Sequence, residues 1–153
     1  MKKVLLFIIP IFLLFGCTNS KPFYLDDEFY NSNEITDITS EEFKKYINDK
    51  KSFAIFIYTE GCFSCFDFKK VLDEFQEKYN IRLYAMNASE MKKTEIYNYV
   101  KYSPSIILYN KGDMVSYLDA ESNDDKEYYE STEGLYKWFT KYIILNTKIA
   151  TSE

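Results

Sequence analysis

The spacing of apolar and polar residues changes character several times along the chain. Ser52 to Tyr58 (SFAIFIY) is apolar at nearly every position, the pattern of a strand buried on both faces. From Phe63 to Tyr79 the period becomes helical. Phe68, Val71, Leu72, Phe75 and Tyr79 share one stripe, with Lys69, Lys70, Asp73, Glu74 and Glu77 largely opposite. Ile81 to Met86, Ser105 to Tyr109 and Met114 to Leu118 read as three further strands. Asn110-Lys111-Gly112-Asp113 reads as a hairpin turn between the last two. Thr39 and Ser40 before Glu41 and Glu42 predict a helix start with acids in its first turn, carrying Phe43, Tyr46 and Ile47 on one face. Thr94 to Tyr102 reads as a short helix, Asp119 to Glu130 as a solvated acidic loop, and Thr132 to Leu145 as a terminal helix with Leu135, Trp138, Phe139 and Tyr142 inward. Two strands joined by a helix must run parallel, and a hairpin pair antiparallel. The expected architecture is therefore α/β: a mixed four-stranded sheet with helices on both faces.

The first residues follow a different logic. Lys2 and Lys3 precede an apolar run from Val4 to Phe15, shorter than the roughly 20 residues a spanning helix needs. Leu14-Phe15-Gly16-Cys17 resembles the bacterial lipoprotein signal. That resemblance implies cleavage before Cys17, a lipid such as palmitate on the Cys17 lipoprotein anchor, and a domain held at the cell membrane facing outside the cytoplasm. A plain secretory signal and an uncleaved anchor are the alternatives, and all three export the domain. The expected division is a signal peptide over 1–16, a polar and acidic tether over 17–36, and one domain over 37–148. Phe23, Tyr24, Leu25, Phe29 and Tyr30 are unusually apolar for a tether, so part of it is expected to pack on the domain.

With 153 residues, 46% of them hydrophobic, the chain can bury one ordinary core. The net charge of -5 becomes -7 once Lys2 and Lys3 leave with the leader, and Arg82 is the single arginine. Nucleic acid is thus not an expected partner, since phosphate binding needs clustered cations. The chain contains no histidine, which removes imidazole general bases and the usual histidine metal sites; no metal is expected.

Besides Cys17, the cysteines are Cys62 and Cys65, in the sequence Cys62-Phe63-Ser64-Cys65. Three readings exist for such a pair. A structural disulfide closing so short a loop constrains little of the unfolded chain. A zinc site generally takes four ligands, and no second pair accompanies this one. The third reading is a redox dithiol. Its context favours that chemistry: a buried strand precedes it and a helix begins on it. Cys62 then sits at the helix N-terminus, where unpaired N–H groups favour thiolate over thiol. Cys65 lies one turn further on, within reach of the first sulfur. Cys62 would attack a disulfide and Cys65 would resolve the mixed disulfide.

The segments SFAIFIY, TEGCFSC, IRLYAMNAS and VKYSPSIILYNKGDMVSYLDA together resemble the thioredoxin superfamily over roughly Thr39 to Leu145. Among lipoproteins the chain resembles the small bacterial thioredoxin-like proteins of bacteriocin-accessory type. The resemblance implies that Pro104 is the family's cis-proline and that Ser103 and Pro104, with Gly61 and Phe63, contact extended substrate backbone. It implies no separate cofactor beyond the redox-active Cys62–Cys65 disulfide. The implied partners are exported thiol or disulfide proteins or peptides and a membrane or extracellular redox partner. The family's buried acid and lysine correspond here to Phe56 and Ala85, so the usual internal base is missing and Glu60 is a weak substitute. The leading expectation is an extracytoplasmic thiol–disulfide oxidoreductase. The alternative is a binding or accessory module of the same fold with little turnover.

Overall fold

The computed structural model describes residues 21–145. The leader and Cys17, with the lipid expected on it, lie outside the described residues. Strands β1 (Ile35–Asp37), β2 (Phe53–Tyr58), β3 (Leu83–Asn87), β4 (Ser105–Asn110) and β5 (Asp113–Tyr117) form one sheet in the order β1-β3-β2-β4-β5. β1, β3 and β2 run parallel; β4 is antiparallel to β2, and β5 to β4. The helices are α1 (Ser40–Asn48), α2 (Phe63–Tyr79), α3 (Ala88–Met91), α4 (Lys126–Tyr129) and α5 (Thr132–Phe139). Among the described residues no helix is long and apolar enough to cross a membrane.

The all-apolar run of β2 is central because both of its faces are covered. Phe53 and Ile55 point to the α1 side, where Phe53 packs on Phe43 and Tyr109. Phe56 points the other way and packs on Phe68 of α2. α5 lies on the α2 side, with Phe75 against Phe139 and Tyr79 stacked on Tyr136. Phe43, Phe53, Phe75 and Phe139 are fully buried, and each such side chain contributes about 1.5–3 kcal/mol relative to exposure. Thr39 caps α1 through a reciprocal pair with Glu42, which satisfies two otherwise orphaned N–H groups. The β4–β5 turn needs positive φ at both central positions, Lys111 (53°) and Gly112 (84°). A Cβ on Gly112 would also lie 2.6 Å from the Ile47 carbonyl oxygen.

The sheet has five strands where the apolar pattern gave four. The extra strand, β1, is three residues long and follows the apolar anchors Leu25 and Phe29, which are buried in the core. Three residues are too few for a period-2 signal, and hydrogen bonding to β3 makes the strand. Most of the stretch expected as a tether therefore belongs to the fold from residue 21 onward. Phe23 bridges Ile143 through Phe23 N–H to the Tyr142 carbonyl and Ile144 N–H to the Phe23 carbonyl, 2.8 Å each. The Tyr30 hydroxyl adds a bond to the Ile144 carbonyl at 2.9 Å. That seam is why α5 stops at Phe139 instead of continuing to Leu145. The helix expected over Thr94 to Tyr102 is a short 3₁₀ turn, Glu95–Asn98, preceded by α3; the Thr94 side chain accepts from Ile96 N–H and restarts the chain there. The acidic loop carries α4, whose Tyr129 packs on Phe68.

Candidate active site

β2 ends at Tyr58, and Thr59, Glu60 and Gly61 turn the chain into α2. Gly61 has φ of 72°, a conformation side chains rarely adopt, with nothing within 4 Å of where a Cβ would sit. Backbone conformation alone therefore asks for glycine there. Cys62 is the N-cap of α2, and its Sγ accepts from Cys65 N–H at 3.1 Å. The sulfur thus takes the place usually held by a serine or aspartate oxygen at a helix start. The Ser64 hydroxyl lies 3.2 Å from the same sulfur. No acidic residue occupies the first turn of α2, so nothing competes with Cys62 for the positive end of the helix. Cys62 and Cys65 form a disulfide with Cα atoms 5.2 Å apart. Cys65 is buried, while Cys62 is partly exposed and Phe63 is 88% exposed.

The motif stands between two depressions of different chemistry. On the β1 side, an apolar cavity of about 830 Å³ is lined by Cys62 and Cys65, by Phe63 and Phe66 of α2, and by Phe56 and Ala85 of the sheet. Asp37 and Tyr58 lie in the same wall, and Lys69, Lys70 and Asp73 are on its helix side. On the other side, a more polar depression of about 730 Å³ runs past Ser64, Ser103 and Pro104 to Glu121, Lys126 and Tyr129. The Ser103–Pro104 peptide bond is cis. The Ser103 hydroxyl and the Thr59 hydroxyl are 2.7 Å apart, which ties the proline segment to the turn before Cys62. The Tyr129 hydroxyl donates to the Pro104 carbonyl at 3.0 Å.

Phe56 and Ala85 are both 2% exposed and face α2. No ionisable group therefore occupies those two positions. Glu60 is exposed and lines neither depression. The Tyr58 hydroxyl instead donates to Asp37 at 2.8 Å. Desolvation, then the hydrogen bond to the Asp37 carboxylate, pushes the Tyr58 phenol up to about 12. Among the described residues no cluster of three or more His, Cys, Asp or Glu could hold a metal ion.

The residues singled out in the sequence thus meet in two groups. Gly61, Cys62, Phe63 and Cys65 line the apolar cavity, and Ser103 and Pro104 line the polar one. Sequence reading missed Asp37, Tyr58, Phe66 and Tyr129. Tyr58 ends an apolar run and Phe66 lies in the first turns of α2, so their placement beside the cysteines had a signal. Asp37 had none, because its neighbours are set by the order of strands in the sheet.

Residues 34–129 match the sequence model of the thioredoxin family. The fold resembles thioredoxin NaTrxh from Nicotiana alata, with TM-score 0.56 and 15% identity over 74% of this chain and 95% of that one. It also resembles oxidized mitochondrial thioredoxin 3 from Saccharomyces cerevisiae, with TM-score 0.51 and 18% identity over 69% and 92%. A third similar structure is the J-Trx1 fragment of ERdj5, with TM-score 0.50 and 20% identity over 68% of this chain. The match spans about half of that fragment, 49%. At these identities the structures speak for the fold alone.

Proposed function

The chain belongs to the thioredoxin family, and from that premise we propose that it is an extracytoplasmic thiol–disulfide oxidoreductase acting on exported proteins or peptides. The thiol–disulfide activity follows from the family and from the Cys62–Cys65 pair at disulfide distance. The observation that carries the assignment of roles is Cys62 as N-cap of α2, partly exposed, with Cys65 buried behind it.

In the reduced protein the helix N-terminus stabilises a Cys62 thiolate. That thiolate attacks one sulfur of a client disulfide, and the other client sulfur leaves as a thiolate that takes up a proton. Cys65 loses its proton and attacks the Cys62 sulfur of the mixed disulfide. The second client thiol is released, and the Cys62–Cys65 disulfide remains. Two electrons pass from the dithiol to the client; an oxidised protein meeting a client dithiol runs the steps in reverse. The hydroxyl contact between Ser103 and Thr59, which ties the proline segment to the turn before Cys62, supports a role for Ser103 and Pro104 in holding the client backbone. Export and membrane attachment are supported by the basic Lys2-Lys3, the apolar run and Leu14-Phe15-Gly16-Cys17.

Phe56 in place of the family's buried acid favours a second reading, a peptide-binding module with little turnover. One experiment separates the two. Cys65→Ser should leave Cys62 able to form mixed disulfides that nothing in the domain can resolve. Several reductant-sensitive adducts with exported proteins are expected from the enzyme, and none from Cys62→Ser. One adduct or none, from a folded and exported protein, would move the assignment to the binding module.

A further inference from the structure

The resolving step needs a group that takes the proton of the buried Cys65, and Phe56 cannot. This inference rests on the oxidoreductase reading and names the group that completes it. Asp37 pairs with Ala85, and Ala85 with Phe56, in the register of three adjacent parallel strands. Laterally paired residues share a face of a sheet, so all three side chains point to the side where Phe56 packs on α2. Between them Ala85 contributes only a methyl group. The space above it is part of the cavity that Asp37, Tyr58, Phe56, Ala85, Cys62 and Cys65 line together. At about 830 Å³ it has room for a chain of waters, each taking about 30 Å³ of liquid volume. Tyr58, two residues beyond Phe56 and on the same face, fixes the carboxylate by donating to it at 2.8 Å.

We propose that Asp37, supplied by the edge strand β1, accepts the Cys65 proton through water in this cavity and returns it to the departing client thiolate. The other charged groups around the cavity are already matched or distant. On α2, Lys69 pairs with Asp73 at 2.6 Å and Lys70 with Asp67 at 3.0 Å. Asp73 lies two turns beyond Cys65. Glu60, in the turn before α2, lies outside the lining. The Arg82 guanidinium donates to Thr36 on the opposite face of β1 at 2.7 Å. β3 contributes Ala85 and no ionisable side chain to the wall. The balance is simple: Cys65 S–H gives its proton to Asp37, the Cys62–Cys65 bond forms as the Cys62–client bond breaks, and the client sulfur recovers the proton. The electrons come from the two protein thiols and no other reductant is involved.

The test is single-turnover reduction of a peptide disulfide by the reduced protein, with the mixed disulfide quantified after acid quench. Near pH 6.5, Asp37→Asn should slow resolution about tenfold, below the ~10² or more of a directly bonded general base because water intervenes. The mixed disulfide should accumulate while the first attack by Cys62 proceeds at its normal rate. Near pH 9 hydroxide can take the proton in place of the carboxylate, and the defect should shrink to less than about twofold. Asp37→Glu should restore most of the rate, Tyr58→Phe should give a smaller defect with the same pH dependence, and Asp73→Asn none. An unchanged rate in Asp37→Asn, a defect equal at both pH values, or the defect appearing in Asp73→Asn instead would overturn the assignment. If Asp37→Asn does not fold, Tyr58→Phe decides by the same pH comparison. A wild-type protein unable to reduce the peptide overturns the oxidoreductase reading and this one with it; an active wild type with a normal Asp37→Asn overturns only this one.

Discussion

Replacing Tyr129 by Phe removes one oxygen and tests how the acidic loop holds the proline segment. The Tyr129 hydroxyl donates to the Pro104 carbonyl at 3.0 Å, and its ring sits 4.6 Å from that of Phe68. Burial first, then the nearby Asp125 and Asp119, raises the phenol above its ordinary range, so it remains a donor at any working pH. The phenyl ring of the variant keeps its contact with Phe68, so the loss is almost entirely the hydrogen bond. Pro104 is buried, and its carbonyl would be left without that partner. The expected cost is about 1–2 kcal/mol, between the net value of a typical bond and the penalty for an unsatisfied buried group. For a domain of this size that is a fall of roughly 3–8 °C in Tm. Urea unfolding should show a lower midpoint with an unchanged slope. The KM for a peptide disulfide should rise more than kcat falls, because the loop forms one wall of the depression beside Pro104. An unfolding free energy within ~0.3 kcal/mol of wild type would refute the reasoning, since the buried carbonyl would then not depend on this donor.

Three further outcomes are expected. Gly112→Ala should destabilise by about 2–4 kcal/mol in denaturant unfolding, combining left-handed strain with a Cβ forced against the Ile47 carbonyl, whereas Lys111→Gly in the same turn should be neutral or better. The Lys93 ammonium, then the Ser40 N–H and hydroxyl, holds the Glu90 carboxyl down at about 2. A depressed carboxyl contributes stability above its unfolded value near 4.5 and loses it as pH falls toward 2. Wild-type Tm should therefore drop across that window, and Glu90→Gln should flatten the drop. Finally, Cys17→Ala should abolish labelling by a fatty-acid probe; a labelled variant would remove the lipid anchor from the proposal.

The sheet's centre and the dithiol were legible because each announces itself locally. Ser52 to Tyr58 has only one way to be buried on both faces, and the stripe from Phe68 to Tyr79 fits only a helix. Lys111-Gly112 marks its own turn. What escaped the pattern depends on partners distant in the chain. β1 exists because Ile35–Asp37 hydrogen-bonds to β3 nearly fifty residues away, and no periodicity fits in three residues. Asp37 comes near the cysteines only because β3 lies between β1 and β2 in the sheet, an order that residue spacing does not encode. Likewise, Tyr129 reads as part of a solvated acidic stretch until Phe68 gives its ring something to pack on.

The seam between Phe23 and Ile143 gives the domain a clasp. The segment that opens the described chain and the one that closes it hold each other through Phe23, Tyr142 and Ile144, with Tyr30 locking the pair from the side. Neither segment has these partners without the other. Deleting residues 140–145 should thus loosen the chain around Phe23, while Leu25 and Phe29 stay held by the core, and removing both segments should cost less than the two losses added together. A pull on the chain ahead of Phe23 would be borne by this clasp before it reached the sheet.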